Sequence, residues 1–280
     1  MRYSPPVTPS LPTVLAFAVY LVTGGLTGCR RAETSRPDGG LVLAAAPDRS
    51  LTLDEYESKG VPSLSAPWSS SQYTLAAAAL EVLATKEPTH LPRRRSKRSA
   101  SLFDRLVARA HPEVTDAARP LGDRLGAVGA ILTAGGKVLA TYLNAHFSEP
   151  SLGHELSELH AFLVVTAGLC IPVLDEAASA TPKTAPAWSK VEAGRAQAVL
   201  GTAQILEGTM IALADHSIYD DGDRLTMAES LVLAASTIVG AQPAARKASI
   251  CEEMRAVAAK EPSSAAREAV TLARGKACGA

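Results

Sequence analysis

The sequence predicts an all-α protein, a multi-helix bundle of roughly six to eight helices after a flexible N-terminal tether. Two observations carry this prediction. From Gln72 onward, apolar residues recur at three-and-four spacing in almost every segment between polar, proline-containing breaks, which is typical of amphipathic helices. No stretch shows the period-two alternation of a half-buried strand, so no sheet is expected.

Prolines and polar loops set the boundaries of the predicted helices. Ser50 or Thr52 is expected to cap the first, short helix. Pro172 should kink or end its helix, because proline removes a backbone hydrogen bond. In chain order the predicted helices are SLTLDEYES, 72–87, a short helix near 102–110, 117–146, a helix after Pro150, 188–216, RLTMAESLVLAASTIVGA, 243–260, and a last one from Pro262 to Gly275.

The first thirty residues have the layout of a secretory signal. Arg2 precedes an apolar segment, Leu11 to Thr23, that is shorter than the about 20 residues needed to cross a bilayer, and small residues follow it. The signal ends in Leu26-Thr27-Gly28-Cys29. These four residues resemble the lipobox of bacterial lipoproteins, in which an aliphatic residue, two small residues and an invariant cysteine direct lipidation and cleavage.

The resemblance covers the signal peptide and not the mature domain. It implies that residues 1–28 are removed and that Cys29 carries acyl chains that anchor the protein in the cell envelope. Arg30 stands where an aspartate would favour inner-membrane retention in some bacteria, so an outer-membrane location facing the periplasm is favoured. An ordinary cleaved signal with an incidental cysteine is the alternative. The predicted organisation is then a lipidated cysteine and flexible tether over 29–71 and a helical domain over 72–280.

The composition argues against nucleic acid as a partner. The chain has 28 Lys and Arg against 28 Asp and Glu, and 4% aromatic residues. Such a chain has no basic field to attract phosphates and few rings on which bases could stack. The predicted partners are the membrane, through the N-terminal lipid, and a protein of the envelope, and no cofactor is predicted.

Glycines recur with a spacing of seven in two of the long helices, which places each set along one helix face. Glycine costs about 1 kcal/mol relative to alanine inside a helix. The sets therefore favour close backbone approach between packed helices, with chance spacing in an alanine- and glycine-rich chain as the alternative. They are Gly122, Gly129 and Gly136, and Gly194, Gly201 and Gly208.

The segment GHELSELH is a candidate for ligand or metal binding. A zinc-protease helix needs two histidines four residues apart, and here the second position is Glu158. His154 and Glu158 share a helix face, with His160 nearby, so these three residues are the predicted ligands if a metal or small ligand binds. An ordinary polar face at a helix start is the simpler interpretation.

Two loops carry most of the clustered charge. DHSIYDDGDRLTMAE lacks the ligand spacing of an EF-hand and is predicted to be an acidic helix cap. RRRSKR is predicted to be either a solvated loop or a site for lipid phosphates or an acidic partner. Its basic residues are Arg93, Arg94, Arg95, Lys97 and Arg98.

Three cysteines remain after Cys29. Cys170 lies in an apolar run, whereas Cys251 and Cys278 lie in the last helical hairpin. Because disulfides persist in an oxidising envelope compartment, a Cys251–Cys278 bond is predicted, with Cys170–Cys278 as the main alternative.

No catalytic signature is present. The chain has no G-x-S-x-G elbow, and GGKV lacks the spacing of a phosphate-binding loop. The leading hypothesis is a membrane-anchored lipoprotein whose helical domain binds a protein partner, in an assembly, scaffolding, inhibitor or immunity role. The alternatives are a helical lipoprotein that binds a small ligand or metal and, as the weakest hypothesis, an enzyme with scattered catalytic residues.

Overall fold

A computed structural model describes residues 48–146 and 150–279, and within these ranges the chain is helical without a strand, so the all-α prediction is confirmed. Short 3-10 turns lie at Pro88–His90 and Pro150–Leu152. The α-helices of these ranges are α1 (Leu53–Ser58), α2 (Ser70–Lys86), α3 (Ala100–Leu106), α4 (Pro112–Thr115), α5 (Leu121–His146), α6 (Gly153–Ala180), α7 (Trp188–Leu213), α8 (Asp221–Gly240), α9 (Ala244–Lys260) and α10 (Ser264–Cys278).

Helix α6 is the centre of the bundle. It packs against α5, α7 and α8, while α2 packs on α5 and α10 packs on α8. The sequence explains this position, because the segment from Ala161 to Leu174 has no charged residue and offers no polar face to solvent. Phe162 of α6 is fully buried and its ring stacks on Tyr73 of α2, with the ring centroids 5.6 Å apart.

The folded domain begins upstream of its predicted boundary. Tyr56 of α1 is 1% exposed, and its hydroxyl donates a hydrogen bond to the carbonyl of His90 at 2.5 Å. Of the two predicted caps, Thr52 is the one used. From residue 48 onward the segment predicted as tether is therefore part of the domain. Cys29, with the signal and the upstream part of the tether, lies outside the described residues.

Pro172 does not end α6, which continues to Ala180. Proline in a helix interior costs about 3 kcal/mol. Here its ring lies at an exposed position, and Ile171 and Val173 on either side are buried in the core. Tertiary packing on both sides of the proline therefore maintains the helix.

The predicted glycine packing between helices is wrong for four of the six positions. A Cβ atom added at any of these four would meet no neighbouring atom within 4 Å, so they lie against open space. Helices α5 and α7 do share a neighbour, since both pack on α6. The four glycines are Gly122, Gly129, Gly136 and Gly208, whereas Gly194 and Gly201 are buried in α7.

Close backbone approach occurs at other glycines. Gly168 of α6 lies against α8, where an added Cβ would be 2.9 Å from the Cβ of Ala234. Gly153, the first residue of α6, lies against the loop before α8, where an added Cβ would be 2.5 Å from the carbonyl oxygen of Ile218. Both contacts join α6 to α8 or to the loop that leads into it.

Helices α5 and α6 are long and apolar enough to cross a membrane by length and composition alone. In each, more than half of the apolar stretch, 56% and 67% respectively, is buried inside the bundle. Buried residues that include Leu163, Val164 and Ala167 make the centre of α6 part of the domain core.

A disulfide joins the two last helices. Cys251 of α9 and Cys278 of α10 are bonded, with their Cα atoms 5.9 Å apart, so the predicted bond is confirmed. The alternative partner, Cys170, is a free and buried thiol whose pKa is raised to about 12 by burial. It therefore behaves as a small apolar residue of the core.

Candidate functional site

The three polar segments that the sequence singled out meet in one open cleft of about 980 Å³, which we call the charged cleft. The basic loop, the first turns of α6, the loop between α7 and α8, and the first turns of α8 line it. Its charged lining residues include Arg94 and Arg95, His154 and Glu158, and Asp220 and Asp221.

His154 is oriented by a buried carboxylate. Its Nδ1 lies 2.8 Å from Oδ1 of Asp223, a residue that is 4% exposed. The hydroxyl of Ser157, which is fully buried, donates to the His154 carbonyl at 2.8 Å and lies 3.3 Å from the same Asp223 oxygen. Because a carboxylate only accepts, Nδ1 of His154 carries a proton and donates it to Asp223.

The start of α8 explains why Asp223 is held in place. Asp220 is the N-cap, its side chain accepts from the backbone N–H of Asp223 at 2.8 Å, and the Asp223 carboxylate accepts from the N–H of Asp220 at 3.3 Å. The prediction of an acidic helix cap in this loop is thus confirmed. One carboxylate oxygen of Asp223 therefore accepts from the backbone N–H of Asp220, and the other bonds to His154.

Two glutamates of α6 hold the basic loop in place. Glu155, 4% exposed, accepts from the backbone N–H of Arg94 at 3.0 Å. Glu158 forms an ion pair with the guanidinium of Arg94 and lies 3.7 Å from that of Arg109. The two glutamates therefore bind the basic loop and balance part of its positive charge.

The basic loop is also tied to the start of the described chain. Ser96, in the middle of the loop, donates to the carboxylate of Asp48 at 2.6 Å, and its hydroxyl lies 2.6 Å from that of Ser50. Arg98 donates to the Ser50 carbonyl at 3.4 Å. Asp48, the first described residue, therefore lies beside the basic loop.

The predicted basic residues divide into two groups. Arg93, Arg94 and Arg98 bond to other parts of the domain, Arg93 to the carbonyl and hydroxyl of Ser151 at 3.3 and 3.2 Å. Arg95 and Lys97 are exposed and form no ion pair with the described residues, and of these two only Arg95 lines the cleft. The loop is thus attached to the domain by some of its residues and presents Arg95 and Lys97 to solvent.

His160 does not join His154 and Glu158. It is 8% exposed, its Nδ1 lies 3.4 Å from the hydroxyl of Thr209 on α7, and burial lowers its pKa to about 4. Two residues further along the helix than Glu158, it points to a different face. The predicted ligand trio is therefore not assembled, and the described residues contain no group of three His, Cys, Asp or Glu side chains placed to hold a metal ion.

Two arginines of this region were not singled out from the sequence. Arg109 approaches Glu158, and Arg224, nearly buried, joins three structural elements. The Arg224 guanidinium donates to the Tyr219 carbonyl at 2.6 Å, to the Glu261 carboxylate at 3.1 Å and to Asp221. The only sequence signal for Arg224 was its place just after the acidic cap, and Arg109 had none.

Comparison of this chain with protein-family models, with curated proteins and with solved structures finds no match.

Proposed function

We propose that this chain is a lipid-anchored protein of the cell envelope whose helical domain binds a protein partner through the charged cleft. The observation that carries the proposal is that one open cleft is lined both by the unpaired cation of Arg95 and by the carboxylates of Asp220 and Asp221. Opposite charges facing one opening favour a partner segment that carries both signs.

The shape of the cleft favours a protein over a small molecule. Small-molecule sites are concave, mostly apolar and enclose most of their ligand. The charged cleft is wide and open, and charged side chains dominate its lining. Arginine is enriched at protein interfaces, and a polar, solvent-accessible rim surrounds their cores. Ion pairs within the lining, such as Arg94 with Glu158, hold this surface in one arrangement before a partner arrives.

The test is capture of envelope proteins from solubilised membranes by the full-length chain, compared with an Arg95→Glu variant. Reversing this charge places like charges at the interface, and we expect the amount of the specific partner to fall about tenfold or more. Lys97→Glu is the matched control, because Lys97 belongs to the same loop and is exposed but does not line the cleft. Equal loss in both variants, or retention by Arg95→Glu, would contradict the proposal.

The anchor half of the proposal is supported by the resemblance of Leu26–Cys29 to a lipobox. Two or three acyl chains hold a protein at a membrane, since each buried methylene contributes about 0.8 kcal/mol. Cys29→Ser should therefore move the protein from the membrane fraction to the soluble fraction after cell disruption. Continued sedimentation with membranes would refute lipid anchoring without bearing on the cleft.

A further inference from the structure

Exposed cations surround the point where the described chain begins. Ser96 of the basic loop donates to the carboxylate of Asp48 at 2.6 Å, and its hydroxyl lies 2.6 Å from that of Ser50. Arg49, between these two residues, is therefore next to the loop. Three cations of this surface are exposed and form no ion pair with any described residue, and we call them the basic patch: Arg49, Arg95 and Lys97.

The acidic residues of this surface are already engaged within the domain. The carboxylate of Asp48 accepts from the hydroxyls of Ser50 and Ser96, and Glu55 accepts from the backbone N–H of Thr52 at 2.7 Å. The charge of Arg98 acts on both carboxylates. Together they offset Arg98 and one further cation, so the surface keeps a net positive charge.

Buried hydroxyls fix the backbone that carries the basic patch. Ser96, 5% exposed, accepts from the backbone N–H groups of Arg98 and Ser99 at 2.9 and 3.2 Å. The fully buried hydroxyl of Ser99 accepts from the N–H of Arg93 at 2.9 Å. A loop held in this way has little backbone freedom to lose when its exposed side chains bind.

The position of the basic patch favours a membrane as its partner. Residues 29–47 precede Asp48, so a lipid at Cys29 would pull on the chain beside Arg49. Anionic lipid headgroups attract lysine and arginine near the surface, and each such cation raises binding about fivefold. The charged cleft differs, because acidic residues line it together with Arg95, whereas Arg49 and Lys97 do not line it.

We propose that the basic patch lies on the anionic phospholipid headgroups of the membrane that holds the anchor. This inference rests on the lipid anchor proposed above, and it adds an orientation to the anchored domain. The end of the bundle that carries the basic loop faces the membrane.

Helix α7 provides a reference point at the other end of the bundle. It has 26 residues and is therefore about 39 Å long. The loop that follows its last residue, Leu213, lines the charged cleft together with Arg95, whereas Lys190 is exposed in its first turn. A membrane that contacts Lys97 would leave Lys190 in water.

The test is the rate at which a water-soluble acetylating reagent modifies each lysine of the full-length protein on lipid vesicles. Vesicles of phosphatidylglycerol and phosphatidylcholine are compared with vesicles of phosphatidylcholine alone. We expect Lys97 to react about tenfold or more slowly on the anionic vesicles and Lys190 to react equally on both. Salt at about 1 M should remove the difference, because it screens the attraction. Equal rates for Lys97 on the two kinds of vesicle would overturn the proposal.

Charge-reversal variants separate a patch from a general effect of net charge. Arg49→Glu should reduce the protection of Lys97 about fivefold or more, and thermal unfolding should stay unchanged because Arg49 is exposed and unpaired within the described chain. Lys190→Glu is the matched control, since it makes the same change in net charge at the far end of α7. Equal loss of protection in both variants would contradict the proposal.

The outcome is independent of the other proposals. If the lipid anchor is wrong, the protein will not sediment with the neutral vesicles, yet the basic patch should still hold it on the anionic ones and protect Lys97. Partner capture by the charged cleft is measured in detergent, without a membrane surface. If Arg49→Glu instead loses a captured envelope protein while Lys97 is never protected on vesicles, the basic patch binds an acidic protein and the proposal is overturned.

Discussion

Glycines in the neighbouring helices α5 and α6 meet opposite surroundings. On α5, Gly122, Gly129 and Gly136 follow each other at intervals of seven residues. A Cβ atom added at any of them would contact no neighbouring atom. On α6, Gly168 has no such regular neighbours, yet it lies against Ala234 so closely that a single added carbon would clash. Regular spacing thus places the glycines on one face of α5. Which face of the helix is buried depends instead on its large apolar side chains.

The buried side chains of α5 explain the difference. Leu125, Val128, Ile131 and Val138 form the apolar stripe of this helix, and burying large side chains contributes about 1.5–3 kcal/mol each. Burying the glycine stripe instead would gain much less. The helix therefore turns its leucines, isoleucine and valines inward, and the small residues on the other side face outward.

The largest expected effect on stability is at Gly168, where α6 and α8 are in close contact. Gly168→Ala should lower the free energy of unfolding by about 1–3 kcal/mol, because the Cβ of Ala234 cannot rotate away and α6 and α8 must separate. Chemical denaturation of the purified protein measures this change.

A compensating variant makes that comparison sharper. Gly168→Ala combined with Ala234→Gly returns the lost space, so most of the close-contact penalty should disappear and leave the ordinary helix cost of the new glycine. If Gly168→Ala alone is as stable as the unmodified protein, the close approach between α6 and α8 does not contribute to the free energy of unfolding.

A smaller change in stability, of opposite sign, is expected on the outward face of α5. Gly129→Ala should raise the free energy of unfolding by about 0.5–1 kcal/mol, because alanine is the better helix former and open space receives its methyl group. Gly208→Ala on α7 is the matched control with the same open surroundings and should shift stability equally. A loss of stability at Gly129 would mean that its surface is covered in the folded protein.

Much of the fold could be predicted from the sequence because it depends on local patterns. The three-and-four spacing of apolar residues located the long helices, and prolines located the breaks between them. The helix ends were less accurate, as α7 ends at Leu213 before a turn in which the Asp215 carboxylate accepts from Ser217. Of the two outcomes predicted at Pro172, a kink or an end of the helix, the end does not occur, because Ile171 and Val173 of α6 are buried in the core of the bundle.

The charged cleft shows where sequence reasoning stops. His154, Glu158 and the basic loop were each identified as candidates, but no local rule says that segments about 60 residues apart, Arg94 and Glu155, will bond. The same holds for Asp223, which looked like an ordinary cap residue and in the structure also orients His154. Convergence of charged segments depends on how whole helices pack, and a single sequence carries no direct record of it.

The bond between Asp48 and Ser96 has a consequence for the reach of the protein. About 20 residues separate Cys29 from Asp48, and an extended chain spans at most about 3.5 Å per residue. An acyl anchor at Cys29 would thus keep Asp48 within about 70 Å of the membrane surface. Because Asp48 bonds to the loop that carries Arg94 and Arg95, the proposed anchor would also keep the cleft near the membrane, and a partner would be met there rather than across the compartment.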